Sequence, residues 1–443
     1  QEGSVQNAGS FASATPERPV LHDPLSMPAE PTLSVNSFRS ARVCQTCHPR
    51  YYEEWSTAMH AYATKDPVWR ALVRARQAEF DGERDQFCVQ CHTVIGTRGG
   101  EVTANFSFDD FSPITLEGVT CEVCHKASSI ERIFNSGLML DESGPIRGPI
   151  ADPVDAQGFH ESEYSEIFDQ SAFCGSCHDV FEQHGLNLER PYAEWVASPA
   201  AQQDRNCQSC HMPSYTGRAA VSDGVPERDN LHSHRFIGVD LPLLETFIED
   251  PAVFEDVRRE VKALLASAGK IELSAADTVS AGDTLEVRVT VRNLIDAHNL
   301  PTGATFNRQV WIALTVTDAN GTVLFQTGHL DANGDLRTWG SDKPDSDEHL
   351  TYFQSEFIDA DGNRTPFPWK AVEHVSNSLA PLAEQTTTFP IPTATAVGRI
   401  TIDAKLRFRQ TPPFIAVALG LEAVVPRIEI HEIDEAELTV TVR

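Results

Sequence analysis

From residue 284 onward polar and apolar residues take turns along the chain. Thr284 to Arg292, Gln309 to Thr317, Arg399 to Arg407 and Ala436 to Val442 each alternate with a period of two. Such runs place their apolar residues on one face of a strand and their polar residues on the other. Asn320 and Gly321, between two of these runs, signal a hairpin turn. At least seven short strands in about 175 residues predict an antiparallel, Ig-like β-sandwich.

Helical patterns precede the strands. Residues 251–267 read as one helix. Further back the runs are shorter. Pro49 opens one through Tyr51, Tyr52, Trp55 and Met59 to His60, and Asp66 with Pro67 starts another with Val68, Leu72 and Ala75 on one face. Pro191 opens a third through Trp195, while Gly96, Gly99 and Gly100 interrupt the chain. Pro16, Pro19, Pro24, Pro28 and Pro31 make residues 1–40 an extended arm, lying on a surface or on a neighbouring subunit. The expected organisation is α+β and multidomain: an arm (1–40), a mainly helical and loop domain (41–250), and a helix plus β-sandwich (251–443).

The ten cysteines change this picture, because all of them fall in five copies of C-x-x-C-H. Cys44 and Cys47 precede His48, Cys88 and Cys91 precede His92, and Cys121 and Cys124 precede His125. Cys174 and Cys177 then precede His178, and Cys207 and Cys210 precede His211. This is the attachment signature of c-type haem. Two thiols bond the haem vinyl groups, and the adjacent histidine ligates the iron from the proximal side. A zinc ribbon pairs its knuckles into a four-sulfur site and has no use for a histidine after each one. A thioredoxin-like site occurs once. Five covalent haems are expected within about 200 residues, too little protein for an ordinary core around each ring. The haems themselves must form the core of that domain.

Phe87-Cys88 and Phe173-Cys174 each introduce a motif that is followed by another 33 residues later, a weak internal repeat. The formal net charge of −29 disfavours nucleic acid and anionic membrane surfaces. It accommodates basic redox proteins or extracellular acceptors. The longest mainly apolar stretch, Phe414 to Val425, is too short to span a membrane. Haem attachment of this kind takes place outside the cytoplasmic membrane, so a periplasmic or extracellular protein is expected, with Gln1 read as a processed end.

Eleven histidines lie outside the motifs, and only four methionines are present. Bis-histidine ligation is therefore expected, with every iron six-coordinate. At this point the chain resembles multihaem cytochromes related to the tetrahaem cytochrome of ammonia oxidisers. The resemblance runs over roughly residues 40–240, through Cys44 to Ala63, Gly118 to Glu122, Phe173 to Asp179, Tyr192 to Trp195, Cys207 to Pro213 and His234 to Gly238. It implies electron transfer through stacked haems and fits His60, His160 and His234 as distal iron ligands. His232 lies two residues from His234 and points to the opposite side of an extended strand, so it is a further candidate. His298 is another, because similar His-x-x-Pro-Thr-Gly loops follow the haem regions of some large multihaem proteins. His22 and His184 read as solvated, and His329, His349, His374 and His431 as ordinary β-domain residues. Asp331, Asn333 and Asp335 resemble part of a calcium loop, but Gly334 sits too early for the EF-hand pattern, and a turn is the simpler reading.

The expected function is electron transfer without a substrate, with no catalytic residues. The alternative is a multihaem oxidoreductase of the nitrite or hydroxylamine type with one open haem. Pentahaem nitrite reductases commonly replace one motif histidine by lysine, whereas all five motifs here keep histidine. Head-to-tail assembly into a conductive filament is a further expectation, since open heterologous contacts generate such polymers.

Overall fold

A computed structural model describes residues 32–82, 85–155, 158–181, 185–337, 346–393 and 397–443. Most of the arm, His22 and His184 lie outside these residues.

The second half is a two-sheet sandwich, as the alternation predicts. We number its strands β1 (Gly269–Ser274), β2 (Thr284–Asn293), β3 (Gln309–Asp318), β4 (Val323–Thr327), β5 (Glu384–Pro392), β6 (Gly398–Arg409) and β7 (His431–Val442). One sheet runs Thr278–Val279, β7, β6, β3, β4, with Tyr352–Phe353 also on β3; the other runs β5, β2, β1. The pairings are antiparallel except between Thr278–Val279 and β7. Leu285, Val287, Val289 and Val291 of β2 meet Val310, Ile312, Leu314 and Val316 of β3 and Ile400, Ile402 and Leu406 of β6 in one core. A small third sheet is built around Ser355–Asp359.

The long helix Pro251–Ala268, which we label α4, closes one side of the sandwich. Its first turn is fixed by Pro251 and by the Asp250 side chain, which accepts from the Ala252 amide. Val257, Val261, Leu265 and Ala268 recur at helical spacing as its buried stripe.

The first half has little regular structure. Its longer helices are α1 (Pro49–Ser56), α2 (Pro67–Phe80) and the short α3 (Pro191–Val196), and the motifs themselves form helices of four or five residues. Side chain to main chain bonds join these pieces. Trp55 Nε1 donates to Val119 O (2.8 Å), and the Val119 amide donates to His60 O (3.0 Å). Gly118 has φ +73°, and a Cβ there would stand 2.6 Å from His60 O, so glycine is required before the third motif. Trp195 Nε1 donates likewise to Arg205 O (2.8 Å) ahead of the fifth motif. Among the described residues no helix is long and apolar enough to cross a membrane.

Candidate haem chamber

All five motif histidines open onto one cavity of about 1600 Å³, larger than the usual range of small-molecule sites. The ten motif cysteines line the same cavity, from Cys44 and Cys47 of the first motif to Cys207 and Cys210 of the fifth. The second half of the chain contributes as well, through the loop at His298 to Arg308, Pro368, Trp369 and Gln410. The sandwich is therefore a wall of the chamber.

The motifs meet through their cysteines. Cys44 lies against Cys121, Cys91 against Cys177, and Cys174 against Cys207, while Cys124 is close to both Cys174 and Cys177. The first motif thus neighbours the third, the third neighbours the fourth, and the second and fifth both border the fourth. Cys210 alone of the ten is exposed, which puts the fifth motif at the edge of the group.

Four motif histidines face another histidine across the cavity. The ring centroids of His48 and His160 are 6.4 Å apart, those of His60 and His178 6.2 Å, those of His125 and His234 6.2 Å, and those of His211 and His298 6.3 Å. A metal–imidazole bond of about 2.0 Å, with the ring centre about 1.1 Å beyond the nitrogen, puts two trans imidazoles roughly 6.2 Å apart. The four pairs fit an iron between them.

The remaining ring nitrogens are largely occupied. Nδ1 donates to the main-chain carbonyl of Ala219 from His48, Ala63 from His92, Arg147 from His125 and Ile237 from His211, at 2.6–3.0 Å. His160, His234 and His298 donate to Glu161, His232 and Asn299 at 3.2, 2.9 and 3.0 Å. This arrangement fixes the tautomer and presents Nε2 to a metal. Burial also keeps the rings neutral, as ligation requires: it depresses His60 to about 3 and His92, His178, His234 and His298 to about 4.

Two candidate positions differ from the other pairs. His232 faces no motif histidine among the described residues; its Nδ1 donates to Met212 O (2.7 Å) within the pairing of Ser214–Arg218 with Glu227–His232. The strand ends there, and His234 takes the position opposite His125. His92 also lacks a histidine opposite it among the described residues; instead Trp69 stacks on its ring at 4.3 Å and 8°. Among the described residues no histidine completes the second iron, and His22 and His184 lie outside them.

The loop that carries His298 is tied to the first half. Glu194 of α3 accepts from the Asn299 amide (3.1 Å) and from Thr302 Oγ1 (2.5 Å), the Ala200 amide donates to Asp296 O (3.1 Å), and Arg205 pairs with Asp296. Arg308, half-buried just beyond the loop, donates to Thr302 O (2.8 Å) and to Asp240 (2.6 Å). Sequence reasoning passed over Trp69, Glu194 and Arg308. Their only signal was a polar or aromatic residue close to a motif or a candidate ligand.

The Asp331 loop closes on itself. Asp331 accepts from the amides of Asn333 and Asp335, and Asp335 faces the buried Arg409 at 3.8 Å. Among the described residues no group of three or more histidine, cysteine, aspartate or glutamate side chains gathers as a cation site.

A chamber walled by five C-x-x-C-H helices and facing imidazoles defines a multihaem c-type cytochrome. Residues 43–126 match the family described as cytochrome c554 and c-prime. Among solved structures the chain is similar to a penta-heme cytochrome c552 from Thermochromatium tepidum, at 21% identity and a TM-score of 0.62, covering 92% of this chain and 100% of that one. That likeness shows a shared fold. The chain is also similar to the CARDB domain of a Pyrococcus furiosus protein (14% identity, TM-score 0.18, 40% of this chain and 94% of that). A cohesin module from a Clostridium perfringens glycoside hydrolase matches over 40% of this chain and 98% of its own, at 8% identity and a TM-score of 0.19. No curated protein matches.

Proposed function

We propose that the chain binds five covalent haems and conducts electrons among them. The thioether bonds fall to Cys44 and Cys47, Cys88 and Cys91, Cys121 and Cys124, Cys174 and Cys177, and Cys207 and Cys210. His48, His92, His125, His178 and His211 serve as proximal ligands, and His160, His234, His60 and His298 complete the first, third, fourth and fifth irons. The observation that carries this reading is the recurrence of one separation, 6.2–6.4 Å, at four histidine pairs around one cavity. Bound haem supplies one-electron exchange between ferric and ferrous iron. The protein holds the rings at ligating distance, keeps the imidazoles neutral and excludes water. Intact-mass measurement on the denatured, matured protein is expected to show five added haems, and a mass matching four or fewer overturns the count.

A second reading attaches to the second motif, where no histidine stands opposite His92 among the described residues and Trp69 stacks on the face of its ring. An iron held there from one side accepts a small ligand, which suits an oxidoreductase acting on nitrite or hydroxylamine. A high-spin ferric signal that disappears on adding cyanide supports this reading; low-spin signals alone exclude it.

The proposed partner is a basic redox protein, matched to the charge of −29. A periplasmic or extracellular setting follows from the haem chemistry. Assembly into filaments belongs to the same proposal. The exposed Cys210 brings the fifth haem near the surface, where a second copy of the chain can continue the row.

A further inference from the structure

We propose that the iron between His60 and His178 has the highest reduction potential of the four histidine-paired irons, so that the first electron to enter them comes to rest at the centre of the chamber. This rests on the ligand assignment above and adds an order of filling to it.

The reason lies in the far side of each ring. In three pairs both imidazoles give their Nδ1–H to a main-chain carbonyl. His48 and His160 donate to Ala219 and Glu161, His125 and His234 to Arg147 and His232, and His211 and His298 to Ile237 and Asn299. Such a bond makes imidazole a stronger donor to the metal and favours the ferric state. The fourth pair lacks it. His60 Nδ1 is packed away from solvent with no partner, and the His178 ring, exposed toward the cavity, makes no hydrogen bond to the described residues. With His60 a weaker donor the ferrous state is relatively favoured there.

Charge does not offset this difference. Arg308 is close enough to act on His178, but it is paired with Asp240 at 2.6 Å. Glu189 faces the same guanidinium, and Asp179, beside His178, faces Arg190, Glu194 and Glu189.

Position makes the consequence functional. His60 lies within electrostatic reach of His92, His211 and His234 as well as His178. The fourth motif borders the second, third and fifth through its cysteines. An electron arriving from either end therefore has its lowest resting place where every branch meets.

The same pair carries its own spectroscopic label. Its rings are twisted by 50°, against 26°, 15° and 20° in the other three. A larger twist between axial imidazoles gives a low-spin ferric signal of larger g-max. The test is stepwise reduction of the matured, haem-loaded protein with dithionite, followed by low-temperature electron paramagnetic resonance. We expect the signal of largest g-max to be lost before the other low-spin signals. We also expect His60→Ala to lack that signal and to gain a high-spin one. Loss of the large-g-max signal together with or after the others overturns the proposal. A His60→Ala protein with all low-spin signals intact overturns the ligand assignment instead, so the two failures are separable. Should His60→Ala not mature, His160→Ala must remove a different low-spin signal and leave the large-g-max one first in order; any other result counts against the proposal.

Discussion

His60, His160, His234 and His298 stand far apart in the chain, yet each ends as a ring facing a motif histidine at the same separation. We expect His298→Ala to convert one low-spin haem to high-spin, read by electron paramagnetic resonance. Unchanged low-spin signals would reduce His298 to a loop residue. A second residue makes a pH prediction. Asp66 caps α2 by accepting from the Trp69 amide (2.7 Å), and burial lifts its carboxyl to about 6. The folded state therefore binds the proton more tightly than the unfolded state, and the stability associated with Asp66 falls as pH rises from about 4 to 6. Asp66→Asn keeps a good cap. It should stabilise the protein by about 1–2 kcal/mol at pH 7 and change nothing at pH 4, measured as urea unfolding at the two values. The motif histidines were legible because their chemistry demands a spacing. The carbonyls that accept from their Nδ1 were not, because a main-chain acceptor has no identity in a sequence.

At the scale of elements, strands and the long helix were legible and the motif helices were not. A strand of ten residues such as β2 repeats its burial five times, and α4 shows four buried residues at helical spacing. Cys121–His125 and Cys207–His211 are single turns, below the length at which periodicity or intrinsic helix stability is expressed. They are held by side chains such as those of Trp55 and Gln208, which reach main-chain carbonyls far along the chain. His232 was misjudged for a related reason: alternation assigns faces within a strand, but the strand ends at His232 itself. Two measurements probe this scale. Leu265→Ala removes a side chain that is 1% exposed in the α4 stripe and should cost about 2–5 kcal/mol in urea unfolding. Glu194→Ala leaves the Asn299 amide and Thr302 hydroxyl without their acceptor and should loosen the His298 loop. The expected sign is a partial high-spin population at the fifth haem that Glu194→Gln restores toward low-spin. An effect of equal size on every haem would instead mean a general loss of packing.

For the whole molecule the deciding quantity is charge. With −29 on 443 residues, two copies of this chain repel each other, while a basic partner is attracted. Both interactions are screened by salt, and the Debye length falls from about 30 Å at 0.01 M to about 8 Å at 0.15 M. The two proposed kinds of partner therefore respond to salt with opposite signs. Electron transfer to a basic redox protein should slow as salt rises, since its association rate depends on long-range attraction. Assembly of the chain into filaments should be favoured by the same addition, because screening removes the repulsion between subunits and leaves the apolar contacts in place. Stopped-flow reduction of a small basic cytochrome and light scattering of the chain alone, each between 0.01 and about 0.3 M salt, measure the two effects on one preparation. A rate that rises with salt would exclude a basic partner. Scattering that stays at the value of a single chain across the whole range would leave the protein a carrier that works one molecule at a time.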